Sequence, residues 1–190
     1  ASPNLYVNEP VETMQANING MQNLLEYMYK KSVKKVIYVS SSEVYGRKES
    51  IEPFKEYQYG FIDLLNPRSS YSIAKRAAET MCVSYHAEYG IPFNVVRLGH
   101  IYGPSASRND KRVSSDFAYK AAEEENLVLK SDGKQIRSYC YSLDCASAIL
   151  SVLTSGMDGE AYNISNKDSI INIREMAENL AEAGEVDLIF

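Results

Sequence analysis

Pro67-Arg-Ser-Ser-Tyr71-Ser-Ile-Ala-Lys75-Arg76 is the stretch on which the reading of this chain turns. On a helix, residues four apart share a face, so the Lys75 ammonium can sit beside the Tyr71 phenol. A nearby positive charge favours phenolate and lowers a tyrosine pKa from about 10 toward neutrality. A phenol tuned in that way can take a proton from a hydroxyl while hydride leaves the same carbon. The spacing alone is common: 15 Tyr and 12 Lys among 190 residues give roughly one Tyr-x-x-x-Lys by chance, and Tyr27 to Lys31 is a second copy.

Tyr71 differs from Tyr27 in its surroundings. Thirty residues before it comes a strand-like run ending in serines, Val36-Ile-Tyr-Val-Ser40-Ser41-Ser42-Glu43-Val-Tyr45-Gly46. After it comes a second apolar run, Phe93 to Leu98, that leads into Gly99-His100-Ile-Tyr102-Gly103-Pro104. Met14, Ile18, Met21, Leu24, Leu25 and Met28 form one stripe, which predicts a helix over 10–31. A buried strand is expected over 34–40 and a charged, aromatic loop over 47–66, long enough to be a functional loop. A helix over 69–89 is stopped by Gly90 and Pro92. Helix, strand, helix, strand in this order predicts a parallel sheet with crossovers.

Beyond Pro104 the pattern changes. A polar, mobile segment is expected over 105–112, a helix over 114–125, and a short strand over 127–129. An apolar helix over 144–154 has Asp144 in the cap position, followed by a strand over 161–164 and an amphipathic helix over 173–183.

Composition narrows the function classes. A net charge of −5 and a pI near 5.2 argue against sequence-independent nucleic-acid binding, which needs a basic footprint. No run approaches the length of a membrane helix. Cys82, Cys140 and Cys145 have no metal-ligand spacing and are expected to be the reduced thiols of a cytoplasmic protein.

Ser40-Ser-Ser-Glu-Val-Tyr-Gly46, Tyr71-Ser-Ile-Ala-Lys75 and Arg97-Leu-Gly-His-Ile-Tyr-Gly-Pro104 together resemble the extended short-chain dehydrogenase/reductase superfamily. Within it they are similar to the NAD-dependent epimerase/dehydratase group acting on nucleotide sugars. Gly133-Lys-Gln-Ile-Arg137-Ser-Tyr-Cys-Tyr-Ser-Leu-Asp144 resembles that family's arginine-bearing strand. The resemblance implies an α/β fold: a partial Rossmann-like parallel sheet with a small interleaved α/β substrate-binding domain. The glycine triplet that cradles the dinucleotide pyrophosphate in such enzymes does not occur here, so the chain is expected to be a C-terminal piece lacking the N-terminal strands. The expected division is 1–104 for the NAD-binding part, 105–143 for a substrate-binding segment, 144–166 for the last Rossmann helix and strand, and 167–190 for a truncated substrate-domain helix.

The resemblance also implies roles. Ser41, Tyr71 and Lys75 correspond to a catalytic Ser-Tyr-Lys set, with Glu43 beside the sugar's C5 as base or as an orienting group for a C5 carboxylate. Ser40, Tyr71, Lys75, Gly99 and His100 are expected at NAD, and Ser42, His100, Ser115, Asp116 and Arg137 at a nucleotide-diphosphate sugar. Arginine suits the diphosphate because its fork pairs phosphate oxygens bidentately. Dehydratases carry an aspartic acid where this chain has Ser42, so the pattern is nearer to UDP-glucuronate decarboxylases. Plainer alternatives stand beside these roles: a turn-capping Ser41, a loop-facing Glu43, a structural His100 and solvated Lys75 and Arg137. The function implied is modification of a nucleotide sugar through a transient 4-keto sugar, by decarboxylation, dehydration or epimerisation. The alternative is a binding piece without turnover of its own. A homodimer through the helices bearing Met14–Met28 and Tyr71–Tyr89 is expected, with no metal, nucleic-acid or membrane partner.

Overall fold

In a computed structural model the described residues are 3–50, 52–104 and 106–190. Ala1, Ser2, Ile51 and Ser105, which belong to the expected start, long loop and polar segment, lie outside them. The chain divides into two compact units, one containing Pro3–Gly99 and Cys145–Ile164, the other His100–Asp144 and Ser165–Phe190.

In the first unit, strands β1 (Val36–Ser41), β2 (Phe93–Leu98) and β3 (Ala161–Ile164) form a parallel sheet in the order β1-β2-β3. Helices α1 (Pro3–Asn8), α2 (Pro10–Lys31) and α3 (Ser69–Tyr89) precede or connect these strands. Met21, Leu25 and Met28 of α2 pack with Ala78 and Cys82 of α3 and with Val36, Phe93 and Val95 of the sheet. Strands buried by helices carry no polar–apolar alternation: Phe93, Asn94, Val95 and Val96 are all buried, with the Asn94 side chain donating to the Glu160 carbonyl. Of the α2 stripe, Met21, Leu25 and Met28 are buried, while Leu24 is exposed. Helix α3 ends as expected, with Gly90 in the left-handed conformation at φ 70°.

Helix α4 (Ser142–Ser155) begins two residues before the expected start, so Asp144 is not its cap. It lies in the first turn, where its carboxylate still favours the positive end of the helix dipole.

The second unit holds the expected elements and three strands the sequence pattern did not mark. Strands β4 (His100–Tyr102), β5 (Ile136–Tyr141) and β6 (Ile170–Asn172) form one sheet, and β7 (Leu127–Val128) pairs with β8 (Leu188–Ile189). The unmarked strands are β4, β6 and β8, each only two or three residues long and too short to carry a period. Helices α5 (Val113–Ala122) and α6 (Ile173–Gly184) supply Phe117, Met176, Ala177 and Ala181 to a core shared with Leu127 and Tyr139. α5 stops three residues early because Glu124 turns to φ 58°. Asn172 and Glu175 form a reciprocal capping box that starts α6.

Candidate active site

The carboxyl ends of parallel strands are where open α/β sheets present ligand-binding groups, and the serine run stands at the end of β1. There the backbone leaves the strand and makes a single 3-10 turn, Ser42–Tyr45, started by Ser41, whose Oγ accepts from the Glu43 amide at 3.2 Å. The Ser41 hydroxyl lies beside the Tyr71 phenol and acts to favour phenolate. Glu43 is exposed, and its carboxylate accepts from Ser72 Oγ at 3.4 Å, next to Tyr71 on α3. Ser41, Glu43, Tyr71 and Lys75 are therefore brought together within one unit, from an element end and a helix 28 residues further on.

The electrostatics depart from the expected tuning. The Tyr71 phenol is raised above its ordinary value, first by burial of the ring, with Ser41 opposing and the Glu43 charge adding. Its ring stacks on Tyr6 at 5.1 Å between centroids, which removes it from water. Lys75 does not offset this. Its ammonium donates to the Val39 carbonyl at 3.0 Å and lies over the Tyr38 ring at 4.8 Å and the Tyr71 ring at 5.8 Å. Burial lowers the Lys75 pKa, and the Glu79 carboxylate acts against that.

Ser40 is buried, and its hydroxyl donates to Glu79 Oε1 at 2.5 Å. Ser42 opens the 3-10 turn and is half-buried. Gly99 follows β2, its amide donating to the Ile164 carbonyl at 2.9 Å.

His100, Ser115, Asp116 and Arg137 belong to the second unit. The His100 imidazole is pushed down to about 4, first by desolvation and then by the guanidiniums of Arg137 and Arg112. His100 keeps an exposed surface, so water tempers the desolvation part. Arg137 lies on β5 and donates to its neighbour's carbonyl at 2.9 Å. Ser115 and Asp116, adjacent on α5, face different cavities, since successive helical residues are turned about 100° apart. Ser115 lines an apolar cavity of about 300 Å³ with Tyr102, Tyr139, Ile171 and Met176. Asp116 pairs with Lys120 at 2.9 Å and lines a cavity of about 410 Å³ with Phe117, Val128, Lys130 and Gln135. Arg137 lines neither of these two.

Sequence reasoning missed Tyr6, Ser72, Glu79 and Arg97. Glu79 had a signal, being one helical turn beyond Lys75 on the same face. Tyr6 had none, because its contact with Tyr71 depends on how α1 returns to α3.

The chain is 34% identical over 182 residues to UDP-glucuronic acid decarboxylase 3 of Arabidopsis thaliana, covering 96% of this chain and 52% of that protein. It thus spans about half the length of the curated relatives it matches. Among solved structures, UDP-glucose 4-epimerase of Thermotoga maritima, with UDP-glucose, is similar at a TM-score of 0.88 and 27% identity, over 99% of this chain and 60% of that one. The dTDP-glucose 4,6-dehydratase of Bacillus anthracis, in complex with NAD, gives 0.82 and 28%, over 92% and 55%. Residues 1–165 match one family, and the chain belongs to the NAD dependent epimerase/dehydratase family.

Proposed function

We propose that this chain supplies the proton-handling and substrate-gripping groups of an NAD-dependent enzyme that modifies a nucleotide-diphosphate sugar through a transient 4-keto sugar, with decarboxylation as the leading reaction. The observation that carries this is that Ser41 ends β1 beside Tyr71, Glu43 is bonded to the adjacent Ser72, and Lys75 lies one turn along the same helix with its ammonium over the Tyr71 ring. The first unit is assigned to NAD and the second to the nucleotide sugar, through His100, Ser115, Asp116 and Arg137.

Lys75 fits a cofactor role. An ammonium has three donors, and the Val39 carbonyl takes one, which leaves two for ribose hydroxyls. Gly99 and His100 would face the cofactor at the end of β2, and Ser40, whose hydroxyl is given to Glu79, would contribute backbone. NAD when bound supplies the acceptor and donor of hydride for the sugar's C4. Tyr71 takes the C4 hydroxyl proton, Ser41 holds the reacting oxygen, and Glu43 orients the group at C5. Ser42 has no acid of useful pKa for a leaving C6 hydroxyl, which supports decarboxylation over dehydration. The 34% identity to a UDP-glucuronic acid decarboxylase supports the same reading.

The cellular setting is proposed as cytoplasmic, with a homodimer through α2 and α3, whose exposed surfaces include Leu24, Tyr27 and Val83. No described helix is long and apolar enough to cross a membrane. Sedimentation as a monomer at high concentration would remove the dimer.

Calorimetric titration of the chain with NAD+, then with UDP and dTDP, tests the reading. Micromolar NAD+ binding, followed by turnover of UDP-glucuronate, supports it. UDP or dTDP binding without NAD+ binding points instead to a nucleotide-sugar-binding piece without turnover. Silence from all three ligands overturns both.

A further inference from the structure

Three residues of the parallel sheet stand in one row: Ser40 on β1 is opposite Arg97 on β2, and Arg97 is opposite Asn163 on β3. Neighbours in register share a sheet face, so Ser40, Arg97 and Asn163 form one polar row across the three strands. Arg97 and Glu79 are both buried. Arg97 Nε donates to Glu79 Oε1 at 3.0 Å and Nη2 to Oε2 at 2.6 Å, a fork-to-fork pair. Nη1 donates to Tyr45 Oη at 3.0 Å and to the Glu56 carbonyl at 2.7 Å, and Nη2 also reaches Tyr59 Oη at 2.8 Å. All five guanidinium hydrogens are thereby used. Tyr45 Oη in turn donates to Asn163 Oδ1 at 2.5 Å.

The network touches every element that carries the candidate catalytic groups. Glu79 lies on α3 one turn beyond Lys75. Ser40 immediately precedes Ser41 and follows Val39, the residue on which the Lys75 ammonium docks. Tyr45 closes the 3-10 turn that bears Glu43. A buried ion pair is weak evidence for stability, and an apolar row would fill this sheet as well. Its geometry instead holds a strand end, a helix and a turn in one register.

We infer that Glu79, clamped by Arg97, is a positioning residue that sets the end of β1 against α3 so that the Ser41 hydroxyl meets the Tyr71 phenol and Lys75 reaches Val39. The inference rests on the reading of Ser41, Tyr71 and Lys75 as catalytic. Its test reads side chains rather than turnover, so the two can fail separately.

The experiment follows the Tyr71 and Lys75 side chains of the whole chain by NMR titration, with 13Cζ-tyrosine and 13Cε-lysine labels, in the wild type, Glu79→Gln and Ser40→Ala. Tyr71→Phe and Lys75→Arg assign the signals. In folded Glu79→Gln, Lys75 titrates lower, because a charge that favours its ammonium is gone, and Tyr71 titrates higher, because Ser41 no longer meets it. Lys75 shifts with the lost charge in any case, so a folded Glu79→Gln in which Tyr71 titrates as in the wild type overturns the inference. If Glu79→Gln does not unfold cooperatively, Ser40→Ala, which leaves no charge unpaired, decides. A raised Tyr71 midpoint supports positioning, and an unmoved one overturns it. A purely structural network would lower the melting temperature of these variants without moving the Tyr71 titration.

Discussion

The Lys75 ammonium donates to the carbonyl of Val39 at 3.0 Å, two residues before Ser41, and so ties the tyrosine-bearing helix to the serine-bearing strand. That bond directs the charge at the backbone, while the Tyr71 ring centre lies 5.8 Å away. Lysine at the fourth position therefore anchors, while the Tyr71 phenol is raised by burial, with Ser41 opposing and the Glu43 charge adding.

Tyr71 should therefore titrate above the ordinary tyrosine value of about 10 in this chain, rather than near neutrality. Stacking on Tyr6 contributes to the burial, so Tyr6→Ala should bring the Tyr71 midpoint down toward that value. Tyrosine 13Cζ shifts followed against pH read both. An unmoved midpoint in a folded Tyr6→Ala chain would mean that the stacked ring is not what desolvates the phenol.

Acid should weaken the second unit in two windows. His100 is depressed from 6.5 to about 4 and Asp110 from 3.8 to about 2, the latter chiefly by hydrogen bonds from Arg112. In both cases the unfolded chain binds more protons between the two values, so stability is complete above the unfolded pKa and is lost as pH falls through the folded one. Between pH 6.5 and 4 the wild type should lose stability more steeply than His100→Gln in chemical denaturation. Parallel pH curves would remove His100 from the acid response.

Gly46 should not tolerate a side chain. It has φ 70° and ψ −149°, a region essentially reserved for glycine, and a Cβ there would collide with the Phe61 carbonyl. Gly46→Ala should cost about 1–3 kcal/mol, which is about 2–12 °C in melting temperature. Gly90 is a control, with the same φ of 70° and open space around its missing Cβ. Gly90→Ala should cost only the left-handed strain and melt above Gly46→Ala. The reverse order would show that the approach of the 47–61 loop to Gly46 is not tight in solution.

The first unit was legible in the sequence because its elements are long. The α2 stripe, the β1 and β2 apolar runs and the Gly90 stop each give several independent signals, and α2, α3 and β2 fall at the expected bounds. Strands β4, β6 and β8 were not legible, since two or three residues define no period and their pairing is purely tertiary. For the site, Ser41, Glu43, Tyr71 and Lys75 could be gathered because resemblance supplied the pairing of distant segments. Ser115 and Asp116, which the resemblance assigns together to the sugar nucleotide, line two different cavities. Arg97 was quoted only as the start of a motif. A strand arginine discloses nothing of its burial until the register sets it beside Ser40 and Asn163 and α3 brings Glu79 over it.

That buried pair yields a prediction about stability distinct from its positioning role. Burial opposes the charge on Arg97, but hydrogen bonds to Glu79 and Tyr45 and the Glu79 charge outweigh it and hold the guanidinium protonated. Arg97→Met leaves the Glu79 carboxylate buried with Ser40 as its remaining partner, and losing one member of such a pair costs about 3–5 kcal/mol. Arg97→Met combined with Glu79→Met removes both charges, and an apolar replacement of a buried pair is often neutral by itself. Here it should recover only part of the loss, because Tyr45, Tyr59 and the Glu56 carbonyl also give up their guanidinium partner. Chemical denaturation of the two variants and the wild type gives the partition. A double variant as unstable as Arg97→Met would mean that the loop contacts, and not the stranded carboxylate, carry the cost. Full recovery would mean that Arg97 holds the 47–66 loop only incidentally.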